Sequence, residues 1–152
     1  MNRIALDTNV LVMVFRNEGP EGDAVRTVVA RRAAAGTRYV VPVFCVGELW
    51  RVATDRRATV PIAPKRALAW IDMLLTRGAT LLTPGPAYWD SLRNLLATAL
   101  PIGTDVFDSQ IAAVCQEHGI EEIWTFDRAF FPYSHLRVVN PLALPEAKPA
   151  LR

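Results

Sequence analysis

The sequence predicts an α/β domain built on a parallel sheet with helices on both faces. Short apolar segments, such as Ile4-Ala5-Leu6 and Tyr39-Val40-Val41, alternate with longer helical patterns. Gly and Pro separate them, at Gly19-Pro20, Gly36, Gly78 and Gly119. Acidic residues stand where apolar segments end, Asp7 after the first and Asp127 after Ile123-Trp124-Thr125-Phe126. That is the end of a parallel sheet where such folds place their sites.

The elements follow in order. A strand is expected over about Arg3 to Leu6, then a helix from near Asn9 to Arg16. Gly19-Pro20 breaks it, and Pro20 suits the first turn of the next helix, which runs to Ala35 and stops at Gly36. Tyr39 to Val41 forms a second strand, and Pro42 starts a helix carrying Glu48, Leu49, Val52 and Ala53. Pro61 and Pro64 mark a loop. Lys65 to Arg77 reads as an amphipathic helix closed by Gly78, and Ala79 to Leu82 as a strand. Pro84-Gly85-Pro86 precedes a helix from Ala87 to about Leu100. Thr104 or Asp105 caps another, which ends at His118-Gly119. Glu122 to Thr125 is a strand and Leu136 to Val139 a last one. There is no repeat and no second domain. One domain covers residues 1–142 and a tail 143–152, and the end from Pro141 onward, with Pro145 and Pro149, is expected to be extended or frayed.

Composition bounds the function without choosing it. A chain of 152 residues, half of them hydrophobic, can bury a real core. The net charge of +2 is no strong nucleic-acid footprint. Nearly all cations are Arg, with Lys only at Lys65 and Lys148, and a GC-rich genome accounts for that bias as well as phosphate binding does. Cys45 and Cys115 stand alone among apolar neighbours and read as buried free thiols. The apolar run Val10 to Phe15 is flanked by Asp7, Asn9 and Arg16-Asn17-Glu18, unlike a signal peptide, and no stretch reaches membrane-spanning length. A cytoplasmic protein without a membrane segment is expected. Zinc, dinucleotide, P-loop and nucleophile-elbow motifs are absent, and His118 and His135 sit where ligands are not expected.

Four acids carry the chemistry: Asp7, Glu48, Asp108 and Asp127. Each has a plain structural explanation. Asp7 suits a helix cap, Glu48 a buried pair with Arg51, Asp108 a favourable first-turn charge, and Asp127 a turn paired to Arg128. Asp105 is a surplus carboxylate one turn before Asp108, best read as an N-cap. Jointly these explanations fail, because all four acids fall at one end of one sheet. Two carboxylates about 4 Å apart repel by roughly 1 kcal/mol in water and about 4 at an effective dielectric of 20. A hard divalent cation is the commonest reason for such a cluster to persist.

With these residues in place, the chain resembles the PIN-domain ribonucleases. Asp7-Thr8-Asn9-Val10-Leu11-Val12 is similar to their opening motif. Glu48 in a helix, Asp108 in Asp-x-x-Ile-Ala-Ala, and Thr125-x-Asp127-x-x-Phe130 are similar to the other three, in order. The run from Asp105 through His118-Gly119 and Glu122-Ile123-Trp124-Thr125 to Val138-x-Asn140-Pro141 is especially similar to VapC toxins of VapBC toxin–antitoxin systems. The sequence departs from these relatives at Asp105, where Asn is frequent, and at Phe107, where His occurs. The resemblance implies a PIN-like three-layer α/β/α sandwich with a central parallel sheet. It also implies Mg²⁺- or Mn²⁺-dependent endoribonuclease activity, a homodimer, and inhibition by a small VapB-type antitoxin.

The catalytic set is then Asp7, Glu48, Asp108 and Asp127. Asp7 and Asp108 are expected to bind metal directly, with Asp105 an alternative for the third motif. Glu48 and Asp127 are expected to hold a metal-bound water or a second ion, one of them as general base. Thr8, Asn9 and Thr125 are expected to orient these carboxylates. Single-stranded RNA loops are the expected substrate, with Arg16, Arg51 and Arg128 as flanking cations. Two rivals stand beside this reading. An Asp-based metal phosphohydrolase would want Asp at the place of Asn9, and a non-catalytic interaction module would use the acids to bind a basic partner.

Overall fold

The computed structural model describes residues 2–148. Five strands form one sheet: β1 (Arg3–Leu6), β2 (Arg38–Pro42), β3 (Thr80–Leu82), β4 (Glu122–Trp124) and β5 (Arg137–Val139). Their order is β3-β2-β1-β4-β5 and every neighbouring pair is parallel. The connecting helices are α1 (Thr8–Arg16), α2 (Gly19–Ala34), α3 (Val43–Thr54), α4 (Pro64–Thr76), α5 (Tyr88–Ala99) and α6 (Val106–Glu117). The chain steps outward from β1 to β3 and then returns to β4. Right-handed crossovers assign the helices of the outward leg to one face and those of the returning leg to the other. The result is the expected three-layer α/β/α sandwich. The direction of winding reverses beside β1, so the carboxyl ends of β1 and β4 open a crevice.

The strands are covered on both faces, which is why they read as continuous apolar runs and not as alternation. Ile4, Ala5, Val41, Ile123 and Trp124 have no exposed surface. Trp124 packs edge-on against Tyr39, and its indole N–H donates to Glu122 Oε1 at 2.8 Å. Glu122 in turn pairs with Arg137, so the polar atoms that Trp124 and Glu122 bring inside are satisfied.

Most boundaries fall within a residue or two of expectation. The helix before Gly19-Pro20 ends at Arg16 as expected, where Asn17 adopts a left-handed conformation (φ 55°) and caps α1. The tail departs further. Pro141–Ala143 and Pro145–Ala147 form 3-10 turns packed on α2, with Arg32 Nε 2.8 Å from Glu146 Oε1, and not an extended or frayed end. Leu142, Leu144 and Ala147 pack against the core there, which supplies the burial that an isolated tail lacks. Pro149, the last part of that expectation, lies outside the described residues.

One cap comes from far away in sequence. α5 has no side-chain cap of its own. Instead Glu117, at the end of α6, accepts the N–H groups of Gly85 at 2.9 Å and Ala87 at 3.0 Å. Gly85 permits this approach, since a Cβ there would lie 2.6 Å from Glu117 Oε1. We expect Glu117→Ala and Gly85→Ala each to cost about 1 kcal/mol of stability. The double variant should cost little more than either, because both remove one contact. Urea denaturation of the four proteins checks this, and full additivity would refute the shared contact.

Candidate active site

Four segments distant in sequence deliver acids to one cleft of about 410 Å³ at the carboxyl ends of β1 and β4. Asp7, Thr8, Asn9, Glu48, Asp108 and Asp127 line it, between walls that include Val12, Thr104, Phe107 and Ile111. The expected catalytic set therefore shares one cavity.

Asp7 follows β1 directly, and its N–H still bonds Trp124 O at 3.0 Å, so the β1–β4 ladder runs up to it. It is also the N-cap of α1, Oδ1 accepting the Thr8 N–H at 2.7 Å. Cap and cleft residue are thus one carboxylate. Thr125 Oγ1 donates to Oδ2 at 2.8 Å, and the Cys45 thiol approaches Oδ1 at 3.6 Å. Only 8% of Asp7 is exposed. Burial raises its pKa above the ordinary carboxylate value and the Glu48 charge adds to this, while those three donors oppose it.

Asp108 sits in the first turn of α6 and accepts the Phe131 N–H at 3.3 Å. Its pKa is pushed up to about 6, first by burial and then by the charges of Asp7, Asp127 and Asp105, against the Phe131 hydrogen bond. Asp105 does not line the cleft. It holds the N-cap position of α6 yet caps nothing with its side chain. The 3-10 turn Gly103–Asp105 already leads the chain into the helix there.

The structural alternative for Glu48, a buried pair with Arg51, does not hold. Its side chain is 49% exposed and Arg51 stands at 3.5 Å, an ion pair of the kind that contributes about 0–1 kcal/mol. α3 turns Cys45 and Leu49 inward, which leaves Glu48 at the cleft mouth, where Thr8 Oγ1 donates to it at 3.3 Å. Asp127 likewise does not pair with Arg128. It accepts the Ala129 N–H at 2.8 Å in a tight turn.

Asn9 and Thr125 tie these parts together. Asn9 Nδ2 donates to Thr125 Oγ1 at 3.1 Å, Asn9 Oδ1 accepts the Phe126 N–H at 3.2 Å, and Thr125 Oγ1 accepts the Asp127 N–H at 3.1 Å. Arg16 turns away and donates to Val60 O at 3.2 Å. His118 and His135 contact the carbonyls of Thr83 and Ala112, consistent with structural roles.

The donor set fits a hard cation. Two partly or largely buried carboxylates hold charge against burial and mutual repulsion, and a divalent ion relieves both. Among the described residues no three His, Cys, Asp or Glu side chains close into a ready-made cage. Two direct carboxylates around a largely hydrated ion suit that geometry.

Sequence reasoning missed three contributors. The Cys45 thiol lies one helical turn before Glu48, and that spacing was a usable signal. The Phe131 N–H and the buried Ser109–Tyr133 hydroxyl pair, which ties α6 to the segment after β4, carry no local signature.

Residues 4–135 match the family model described as PIN domain. Ribonuclease VapC31 of Mycobacterium tuberculosis is 30% identical over 138 residues, covering 90% of this chain and 96% of that protein. Ribonuclease VapC48 of the same organism is 27% identical over 139 residues, with the same coverage of 90% and 96%. The DNA-bound VapBC of Salmonella typhimurium shares the fold, with a TM-score of 0.62 at 22% identity over 93% of this chain and 99% of that one.

Proposed function

This chain belongs to the PIN-domain family, and on that premise we propose that it is a toxin endoribonuclease of the VapC type, neutralised by a VapB-type antitoxin. The observation that carries this is the single cleft in which Asp7, Glu48, Asp108 and Asp127 meet at the reversal of the sheet. We assign Mg²⁺ or Mn²⁺ to Asp7 and Asp108; when bound, the ion supplies Lewis acidity and screens phosphate charge.

The chain's own residues do the rest. Asp7 and Asp108 would hold that ion, and with it bound their carboxylates would no longer repel a phosphate. In this reading Glu48, at the mouth and only loosely held by Arg51, takes the proton of an attacking water. Asp127, fixed by Ala129 and Thr125 in the same cleft, orients that water. Thr8, Asn9 and Thr125 hold the carboxylates in register. The same acids attract a guanidinium, so an arginine of an antitoxin would silence the cleft by occupying it. A phosphohydrolase of the Asp-x-Asp kind fits less well, since Asn9 spends its amide on Thr125 and Phe126. By analogy with the VapC relatives we take the working form to be a homodimer in the cytoplasm. No helix of the described residues is long and apolar enough to cross a membrane.

The test is to incubate partner-free protein and Asp7→Asn with total RNA, with and without Mg²⁺ or Mn²⁺, and map new ends. Discrete metal-dependent ends absent from Asp7→Asn are expected. Binding of RNA or of a basic partner without turnover would favour the interaction module.

A further inference from the structure

A second cavity adjoins the acid cleft. It is a groove of about 830 Å³ between α3 and α6, and it shares Glu48, Thr104, Phe107 and Ile111 with the cleft. We propose that this groove seats one unstacked base of a single-stranded RNA, with Phe107 as its stacking platform. The proposal rests on the ribonuclease reading and names where its substrate lies.

Phe107 is the anomaly that prompts it. It precedes Asp108 in α6, yet it is 56% exposed while Ile111 and Ala112 fill the core. One residue earlier on a helix is about 100° around it, so Asp108 addresses the cleft alone while Phe107 stands between cleft and groove and lines both. Phe107, Gln110 and Ile111 form one wall at i, i+3 and i+4, and Phe44, Gly47 and Arg51 form the other at i, i+3 and i+7. The space beside Gly47 is open, for a Cβ there would meet no atom within 4 Å, so a larger side chain at this position would project into it.

This chemistry matches a nucleobase. Aromatic walls stack on its faces, and stacking of this kind tolerates any base. The Gln110 amide can donate and accept at a base edge. Arg51, with a side chain 64% exposed and held by Glu48 only at 3.5 Å, is free to turn to the adjoining phosphate. Continuity decides the occupant. A phosphate held at the acids must carry its neighbouring ribose and base somewhere within one nucleotide, and the groove opens from the same residues.

The experiment uses the full chain and a short oligoribonucleotide spanning a cleavage site mapped in total RNA. A parallel set carries one abasic residue at each position flanking the cut. We expect Phe107→Ala and Gly47→Leu each to raise KM about tenfold, with kcat within about twofold, and Phe107→Trp to keep the native KM. One abasic position should reproduce the loss, and adding Phe107→Ala to it should add nothing. Mn²⁺ affinity, measured by calorimetry, should not change in either variant. An unchanged KM in both variants, with the native protein still cleaving, overturns the base site alone. So does an unchanged KM together with weaker self-association or weaker antitoxin binding, which would give the groove to a protein. No cleavage by the native protein removes the ribonuclease reading and this one with it.

Discussion

Asp108→Asn is expected to abolish metal-dependent RNA cleavage and to raise the melting temperature of the metal-free protein. The two effects share a cause. Asp108 titrates near 6 in the folded protein, because burial and then the charges of Asp7, Asp127 and Asp105 disfavour its anion. Its ordinary value of 3.8 applies once the chain unfolds. Between those values the folded state binds more protons, so stability falls as pH rises from about 4 to 6, and the full penalty is present at neutral pH. Discounted for the partial exposure of the group, that penalty is on the order of 1 kcal/mol, or about 3 °C for a chain of this size. Asparagine removes the charge while keeping an acceptor for the Phe131 N–H. Cleavage should fall roughly a thousandfold or more, the scale of losing several kcal/mol of charge stabilisation. Single-turnover cleavage, with melts in chelator at pH 5 and 7.5, reads both. Native protein should melt higher at pH 5 and the variant should lose much of that difference. A variant that cleaves normally would remove Asp108 from the machinery.

Thr125→Val is the second large effect. The substitution keeps shape but deletes a hydroxyl that donates to Asp7 Oδ2 and accepts from Asn9 and the Asp127 N–H. Thr125 is 2% exposed, so water cannot take its place. Leaving that side of a buried carboxylate without its donor should cost about 1–3 kcal/mol. Activity should fall about 10–100-fold, the usual range for a residue that orients a metal-binding side chain. The hydrogen bond from Thr125 lowers the Asp7 pKa, so its loss should move the acidic limb of the pH–rate profile to higher pH. Thr125→Ser restores the donor and should recover both the rate and the limb. A purely packing role for Thr125 predicts a stability loss with an unmoved profile.

Much of this could be read before any coordinates. The strand of Ile4-Ala5-Leu6, the helix opened by Pro42 and the stop at Gly78 follow from local rules of period, capping and turn chemistry. So did the placing of Asp7 and Asp127 at strand ends. The failures lie where long-range contacts decide. The tail was expected to be extended, but Glu146 meets Arg32 across the fold. The alternative of a Glu48 buried against Arg51 gives way to a Glu48 at the rim, because the packing of Cys45 and Leu49 sets the rotation of α3. Between Asp108 and Asp105 the sequence left the third acid open, and Asp108 is the one that lines the cleft.

By itself the sequence determined which residues are acids, on which elements they sit, and that those elements alternate as a parallel sheet requires. Only the tertiary structure decided which acids become neighbours and which hold their protons more tightly. Asp7 meets Thr125 because β1 and β4 are adjacent, a pairing across 118 positions that no local pattern encodes. The raised pKa values of Asp7 and Asp108 arise from burial and from charges on other segments, and both exist only once the chain has closed around them.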